Sequence, residues 1–166
     1  MFVKSYGLFW RRDEVNWNPG TGGQFRLLGR IGERLPGIRV ADIRNQTGIY
    51  ILYGDYGPYY VGLTKTSLGI RLKNHLTDEH SNAWDRFSWF GFRKILTGTN
   101  YEGLCKLGNM ATTTISKPDL VISDVEALLI RAMGLSNIRH MNFHSADELT
   151  QIKEHEIEKF LSKIRS

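Results

Sequence analysis

The sequence contains a single cysteine, Cys105, among 166 residues. This excludes an internal disulfide framework and favours a reducing cytoplasm. No apolar run approaches the roughly 18 residues that span a membrane, and the N-terminus lacks the charged and then apolar pattern of a secretory signal. With 41% hydrophobic residues, the chain is long enough to bury one sizeable core. We therefore expect a cytoplasmic protein without a membrane partner.

Acidic side chains are in deficit, with 17 Asp and Glu against 22 Lys and Arg. The first 47 residues contribute much of this imbalance, because they carry 8 basic and 4 acidic side chains. Arginines recur there among leucines and isoleucines, at Arg26, Arg30, Arg34, Arg39 and Arg44. We predict an irregular, basic, Arg/Gly-rich N-terminal extension over residues 1–47. Either it lies along a phosphate backbone, with Trp10 and Trp17 stacking on bases, or it packs its leucines on the core and leaves its arginines in solvent.

Two aromatic-rich runs follow, one beginning with Gly48-Ile49-Tyr50 and the other containing Tyr60-Val61-Gly62. The Gly/Asp/Pro-rich turn between them predicts a β-hairpin. If even-numbered residues pair with even-numbered ones, Tyr50 and Tyr60 project from the same face of the sheet, roughly 5 to 8 Å apart. A slip of one residue would separate them.

The chain after the hairpin is predicted to be helical. Thr66 or Ser67 is suited to cap the first turn, and an apolar stripe follows at Leu68, Leu72 and Leu76. Arg71 and His75 are i, i+4 partners at the border of this stripe, neither fully buried nor fully solvated. Two phenols, a guanidinium and an imidazole are therefore predicted to meet where the hairpin joins the helix. His80 is assigned to a loop, and its spacing from His75 argues against a shared metal ion, because five residues rotate the two rings to different helix faces.

The second half of the sequence predicts three further segments. Residues 84–93 are predicted to form a strand with both faces covered, and residues 97–118 a long surface excursion. A second amphipathic helix begins at Ser123 and ends at Gly134, with Val125, Leu128, Leu129, Ala132 and Met133 on its apolar face. Glu126 lies at the border of that face, where it either closes a capping box with Ser123 or binds a metal ion. From Ser145 onward the pattern indicates a last amphipathic helix.

This ordered set of residues resembles the GIY-YIG nuclease family over about residues 46 to 142. Gly48-Ile49-Tyr50 and Tyr60-Val61-Gly62 match its two tripeptides, and the Arg71-x-x-x-His75 pair is similar to that of its restriction-enzyme members. The resemblance implies an α/β (α+β) domain over residues 48–144, with a three-stranded, mostly antiparallel central sheet flanked by helices. This domain would lie between the extension at 1–47 and the C-terminal helix within 145–166.

The resemblance also implies a divalent-metal-dependent endonuclease that hydrolyses phosphodiester bonds of DNA. Its site residues would be Tyr50, Tyr60, Arg71, His75, Glu126 and Asn137, with Asn142 the alternative to Asn137. Glu126 would hold Mg²⁺ or Mn²⁺ through oxygen. Tyr50 is the family's candidate general base, but a phenol with an ordinary pKa near 10 is a poor proton acceptor. Tyr50 and His75 therefore both remain candidates for the base.

Double-stranded DNA is the expected partner in preference to single-stranded DNA, with Lys65, Lys73, Arg26 and Arg30 as candidate contacts. Restriction or defence against foreign DNA, repair and the movement of mobile elements are all roles of the resembled family. A double-strand cutter needs two active sites, which implies either a homodimer or sequential nicking. The alternatives are a nucleic-acid-binding module that cuts nothing and a protein-interaction domain that uses the C-terminal helix.

Overall fold

The computed structural model describes residues 2–110, 118–134, 143 and 145–166. Within these ranges the chain forms two β-sheets and three α-helices. The helices are α1 (Leu68–Asn74), α2 (Pro118–Ala132) and α3 (Ile157–Arg165). The strands are β1 (Ser5–Arg11), β2 (Leu28–Ile31), β3 (Arg39–Asp42), β4 (Gly48–Gly54), β5 (Gly57–Thr64), β6 (Arg86–Gly91), β7 (Arg93–Thr99), β8 (Cys105–Met110), β9 (Asp147–Glu148) and β10 (Thr150–Gln151). The predicted mixed α and β class is confirmed.

The predicted three-stranded central sheet is wrong, because each sheet has five strands. The first sheet has the order β5-β4-β6-β1-β9, and the second has the order β10-β2-β3-β8-β7. The three expected strands, β5, β4 and β6, do pair antiparallel in the first sheet. Strand β1 then pairs antiparallel with β6, and β9 pairs parallel with β1. Pairings between segments so distant in sequence leave no local pattern from which to predict them.

The hairpin of β4 and β5 has the register on which the site depends. Tyr50 pairs with Gly62, and Leu52 pairs with Tyr60, so even-numbered residues face even-numbered ones. The ladder shifts only beyond Leu52, close to the turn. Tyr50 and Tyr60 are therefore diagonal neighbours on one face, and their predicted position on the same face is confirmed.

The two sheets and the helices that cover their outer faces form four layers. Helix α2 packs on one face of the first sheet, where Ala127 and Leu128 meet Ile51 and Phe90. The other face holds Tyr50 and packs against both α1 and the second sheet, in a core that includes Leu52, Trp89, Leu68, Leu72, Leu27 and Ile43. Helix α3 covers the outer face of the second sheet. Because strand side chains alternate, α1 and α2 lie on opposite faces of the first sheet.

The N-terminal segment is not irregular, since it supplies β1, β2 and β3 to the two sheets. Trp10 and Trp17 are 2% and 8% exposed, so the expectation that they stack on bases is wrong. Trp10 packs edge-on against Phe87 and Trp89 within the core. Burying large aromatic rings in this way contributes several kcal/mol to folding, of the order of 3 for each ring.

Two other segments also differ from their predictions. Of the excursion expected at 97–118, residues 97–110 belong to the hairpin of β7 and β8, whose strands pair antiparallel. Residues 111–117 lie outside the described residues, and Pro118 begins α2. The helix expected from Ser145 onward begins only at Ile157, because the two short strands β9 and β10 precede it. Helix α3 does pack on the protein as predicted, with Phe160 and Leu161 buried.

Helix α2 begins at Pro118, well before the predicted start at Ser123. Only part of the predicted apolar face is buried: Leu128 and Ala132 lie inside, whereas Val125, Leu129 and Met133 are exposed. Asp124 takes an inward position instead, and one of its carboxylate oxygens accepts hydrogen bonds from the backbone N–H groups of Phe2 and Val3. The inward position of Asp124, which satisfies two backbone N–H groups, accompanies the outward position of Val125, Leu129 and Met133. None of the helices in the described ranges combines the length and apolar character needed to cross a membrane.

Candidate active site

Tyr50 reaches the edge of the first sheet because its hairpin partner is a glycine. The Tyr50 ring lies directly over Gly62, and a Cβ at that position would overlap the ring carbon and oxygen atoms of the phenol. Gly48 is also needed, since its φ is +149° and a Cβ there would overlap the carbonyl oxygen of Phe90. With the close contacts at Gly62 and Gly48 in place, the Tyr50 and Tyr60 ring centroids are 6.1 Å apart, which lies within the predicted range.

Helix α1 carries the basic groups to this face. Ser67 caps it, with the hydroxyl oxygen accepting a hydrogen bond from the N–H of Ile70 at 3.3 Å. Leu68 and Leu72 are 2% and 0% exposed and fix the helix against the core. Arg71 then lies beside the tyrosines, where its positive charge interacts with the hydroxyl groups of both Tyr50 and Tyr60. Of the two predicted caps, Thr66 or Ser67, the structure has Ser67, and the predicted convergence of these side chains is confirmed.

His75 ends α1 and is more buried than its predicted border position, with 4% of its surface exposed. Its Nε2 atom is 2.8 Å from the hydroxyl oxygen of Tyr50. Its backbone carbonyl accepts a hydrogen bond from the indole N–H of Trp84 at 3.1 Å. The imidazole is therefore held on both its side-chain and its backbone sides, facing the phenol of Tyr50.

Asp78 and His80 complete the cluster, and sequence analysis missed their part in it. The helix ends at Asn74, and the chain then turns back, so His80 lies beside His75 with the ring centroids 5.1 Å apart. One Asp78 carboxylate oxygen is 2.6 Å from Nδ1 of His75. The other accepts the backbone N–H of His80 at 2.8 Å. Helical rotation did not separate the two histidines because the segment between them is not helical.

Burial raises the pKa of Tyr50, and this effect outweighs the opposing influence of the Arg71 guanidinium, while Tyr60 adds a smaller increase. The same contact with Tyr50 raises the pKa of Arg71. The Tyr50 hydroxyl is therefore protonated at neutral pH. A phenol in this state acts as a base only if another group takes its proton at the same time.

Three predicted site residues lie apart from this cluster or outside the described ranges. Glu126 is exposed on α2, and α2 packs on the sheet face opposite Tyr50. It has no hydrogen-bond partner among the described residues. The capping-box alternative for Glu126 is excluded, because Ser123 lies inside the helix and not at its start. Asn137 and its alternative Asn142 fall outside the residues that the structure describes.

Within the described part of the chain, one cluster brings three potential metal ligands together, with the atoms of His75, Asp78 and His80 lying within 4.8 Å of one another. In this arrangement, however, Nε2 of His75 contacts Tyr50 and Nδ1 contacts Asp78. A metal ion bound by His75 would have to displace one of these partners. We therefore do not assign a metal ion to the cluster.

The candidate DNA contacts differ in how free they are. Lys65 is exposed in the link between β5 and α1. The Lys73 ammonium lies 5.0 Å from the centroid of the Phe25 ring. Arg26 pairs with Glu102 at 2.6 Å, and Arg30 pairs with Glu33 at 3.0 Å. Both arginines thus have internal acidic partners, which leaves the two lysines as the better available cations.

Comparison with known proteins found no relative of this chain, because no family model, no curated protein and no solved structure matches it. The resemblance to GIY-YIG nucleases therefore rests on the sequence alone, through the two tripeptides and the Arg71 and His75 pair.

Proposed function

We propose that this protein is a divalent-metal-dependent endonuclease that hydrolyses phosphodiester bonds of DNA. The observation that supports this best is the convergence of Tyr50, Tyr60, Arg71 and His75. The tyrosines come from both strands of a hairpin, whereas Arg71 and His75 come from the following helix. A structural hairpin needs only apolar contacts at this position, but here the phenol of Tyr50 lies between a guanidinium and an imidazole.

Each group has a role suited to phosphodiester hydrolysis. Arg71 offers a planar set of donors that keeps its charge at all relevant pH values, and it binds a non-bridging phosphate oxygen. Tyr50 accepts a proton from the attacking water while it passes its own proton to His75. Tyr60 lies beside both rings and orients the water or the phosphate through its hydroxyl group.

Glu126 is the residue we propose to hold Mg²⁺ or Mn²⁺. Its donor chemistry fits, because an exposed carboxylate with no hydrogen-bond partner among the described residues is a typical ligand for a hard cation that keeps most of its water. A bound cation would stabilise negative charge on a phosphate and on its departing 3′ oxygen. However, α2 lies on the sheet face opposite Tyr50 and Arg71, so a cation held by Glu126 in the described structure would not reach a phosphate bound at that cluster. Because α2 covers the face opposite Tyr50, the Glu126 variant tests this role separately from that of the tyrosine cluster.

The partner we propose is double-stranded DNA, with Lys65 and Lys73 neutralising backbone phosphates on either side of Arg71 along the chain. Such contacts make DNA affinity fall steeply as the salt concentration rises. In a plot of the logarithm of the binding constant against the logarithm of the salt concentration, each neutralised phosphate adds about −0.9 to the slope. A restriction or defence role, which the Arg-x-x-x-His helix favours by resemblance, belongs to the same proposal.

The test is cleavage of plasmid and single-stranded DNA in Mg²⁺, Mn²⁺ or EDTA by the wild type, Tyr50→Phe and Glu126→Gln. We expect metal-dependent products from the wild type, and DNA binding without products from Tyr50→Phe. Loss of cleavage in Glu126→Gln would support the metal role, whereas retained cleavage would place the cation elsewhere. Cleavage retained by Tyr50→Phe would contradict the assignment. DNA binding without products in the wild type would favour the non-cutting module instead.

A further inference from the structure

We infer that Asp78 is a positioning residue that fixes His75 as the proton acceptor for Tyr50, so that Asp78, His75 and Tyr50 form a proton relay. The inference rests on the proposed hydrolysis for its purpose. Its geometric basis is the pair of contacts that the His75 imidazole makes with Asp78 and Tyr50. The sequence pattern did not include Asp78, which lies in the turn after α1.

The direction of the relay follows from the chemistry of the two hydrogen bonds. An ionised carboxylate only accepts hydrogen bonds, so the Nδ1 atom of His75, 2.6 Å from Asp78, must carry a hydrogen. A neutral imidazole has one N–H, which leaves Nε2 as an acceptor. The Tyr50 hydroxyl, 2.8 Å from Nε2, therefore donates its hydrogen to the ring.

Asp78 is itself held in the form and position that the relay needs. Burial tends to raise the pKa of its carboxyl, but hydrogen bonds from the backbone N–H of His80 and from the His75 ring outweigh that effect and lower it. Asp78 thus stays ionised at neutral pH. With one oxygen on His80 and the other on His75, its rotation is restricted.

The surroundings of the relay contain few other charges among the described residues. Arg71 approaches the Tyr50 hydroxyl from α1. Tyr60 approaches His75 from β5, with 5.2 Å between ring centroids, and the His80 ring lies 5.1 Å from the same imidazole. Tyr59 in turn contacts Nδ1 of His80 at 3.1 Å, and the exposed Glu79 carboxylate lies 3.6 Å from Nε2 of His80. Asp78 is therefore the one anion in direct contact with His75 in this part of the structure.

During hydrolysis the relay carries one proton from water to His75. The oxygen of water forms a bond to phosphorus while one of its protons moves to the Tyr50 oxygen and the Tyr50 proton moves to Nε2 of His75. The bond between phosphorus and the 3′ oxygen breaks, and that oxygen takes a proton from solvent. His75 is left as an imidazolium beside the Asp78 carboxylate, and it then returns its proton to solvent. Water and phosphodiester are consumed, and a 3′-hydroxyl and a 5′-phosphate are formed.

The tautomer of His75 tests the proposed relay of Asp78, His75 and Tyr50 in the absence of DNA. Long-range ¹H–¹⁵N NMR of the full chain with labelled histidine rings, recorded near pH 8, where an ordinary imidazole is neutral, distinguishes the two ring nitrogens. We expect a protonated Nδ1 and an unprotonated Nε2 for His75. A protonated Nε2 in the neutral ring would overturn the relay. So would one equivalent of Zn²⁺ or Mn²⁺ that binds the protein and displaces the Nδ1 hydrogen.

Asp78→Asn is the matching variant, and Asp85→Asn is its control, because the Asp85 side chain is exposed and pairs only with Arg86 among the described residues. An amide can donate to Nδ1 and so favour the wrong tautomer. We expect a fall in cleavage rate of about 10² to 10⁴, a shift of the acid limb of the pH–rate profile to lower pH, and the tautomer signal reversed.

An Asp78→Asn protein with the tautomer and pH profile of Asp85→Asn would overturn the inference. The wild-type tautomer decides the matter even if Asp78→Asn fails to fold. A wild type that has the expected tautomer but cleaves no DNA would support the relay and contradict the proposed nuclease. The two ideas therefore fail separately.

Discussion

Tyr50 and Tyr53 lie on one strand, point to opposite faces of the first sheet and are both buried, with 0% and 2% exposed. Burial is the main reason that the pKa of each is raised. Their hydroxyl partners are different. Tyr53 donates to the carbonyl oxygen of Ala132 at 2.6 Å, whereas Tyr50 contacts the imidazole of His75 at 2.8 Å.

The difference shows that burial alone does not make a phenol reactive. The carbonyl of Ala132 belongs to the last turn of α2, where helix carbonyls lack partners within the helix, so Tyr53 completes a helix end. A carbonyl accepts a hydrogen bond but does not take the proton, whereas an imidazole does both near neutral pH. The partner supplied by the packed helix therefore separates a structural tyrosine from a candidate catalytic one.

Replacing the acceptor on the Tyr50 face should have the largest effect. We expect His75→Gln to lower the DNA cleavage rate by about 10² to 10⁴, because the Tyr50 proton loses its destination. His155→Gln is the control, since the His155 side chain is 73% exposed and lies far along the chain from the cluster. Steady-state cleavage of a plasmid measures both. Equal rates for the two variants would remove His75 from the proposed mechanism.

Truncating one core residue under each helix separates stability from function. Leu72 under α1 and Leu128 under α2 are 0% and 8% exposed, and truncation to Ala should cost about 2 to 5 kcal/mol in each case. Urea denaturation measures this loss. Of the two variants, only Leu72→Ala should also reduce cleavage below the fraction expected from the folded population, because α1 carries Arg71 and His75.

A side chain added under Tyr50 should displace its hydroxyl from His75. We expect Gly62→Ala to destabilise the protein by about 1 to 3 kcal/mol through overpacking and to reduce cleavage, since its Cβ would overlap the Tyr50 ring. Gly98→Ala in β7 is the control, because a Cβ there meets no atom within 4 Å. Thermal unfolding and plasmid cleavage together measure the effect. An undisturbed Gly62→Ala protein would contradict the described position of Tyr50.

The smallest effect concerns a third buried phenol, Tyr6, on the same face as Tyr53. Burial, and then the negative charge of Glu148, raises its pKa to about 12. A raised pKa means that its contribution to stability is complete below about pH 10 and is lost as pH rises from 10 towards 12. This loss amounts to roughly 2 to 3 kcal/mol. Tyr6→Phe should therefore flatten the alkaline fall in unfolding free energy, whereas Tyr56→Phe, at a fully exposed position, should leave it unchanged.

Much of the candidate site could be predicted because the sequence signals that specify it lie close to it in the chain. A Gly/Asp/Pro turn predicts the hairpin, whereas the even-with-even register that places Tyr50 and Tyr60 on one face had to be assumed and is confirmed only by the structure. The cap at Ser67 and the leucines at 68 and 72 orient α1, so Arg71 follows. Each of these signals lies within a few residues of the feature it specifies.

The missed features depend on distant pairing or on where a helix ends. Strand β1 pairs with β6 about 80 residues later, and β2 pairs with β10, so short apolar runs in the N-terminal segment gave no sign of two five-stranded sheets. His80 was separated from His75 by assuming helical rotation between them, whereas the helix ends at Asn74, and Asp78 was not considered. Asp124 was missed because its partners, the N–H groups of Phe2 and Val3, come from the other end of the chain.

The most direct test of the proposed role of Tyr50 compares Tyr50→Phe with Tyr53→Phe in one plasmid cleavage experiment at equal concentrations of folded protein. Each variant loses one buried hydroxyl, at a cost of about 1 kcal/mol in stability for each hydrogen bond lost. We predict that Tyr50→Phe cleaves at least about 10²-fold more slowly than the wild type, while Tyr53→Phe remains within about twofold of it. Equal rates in the two variants would contradict the claim that the partner of a buried phenol, and not its burial, sets its function.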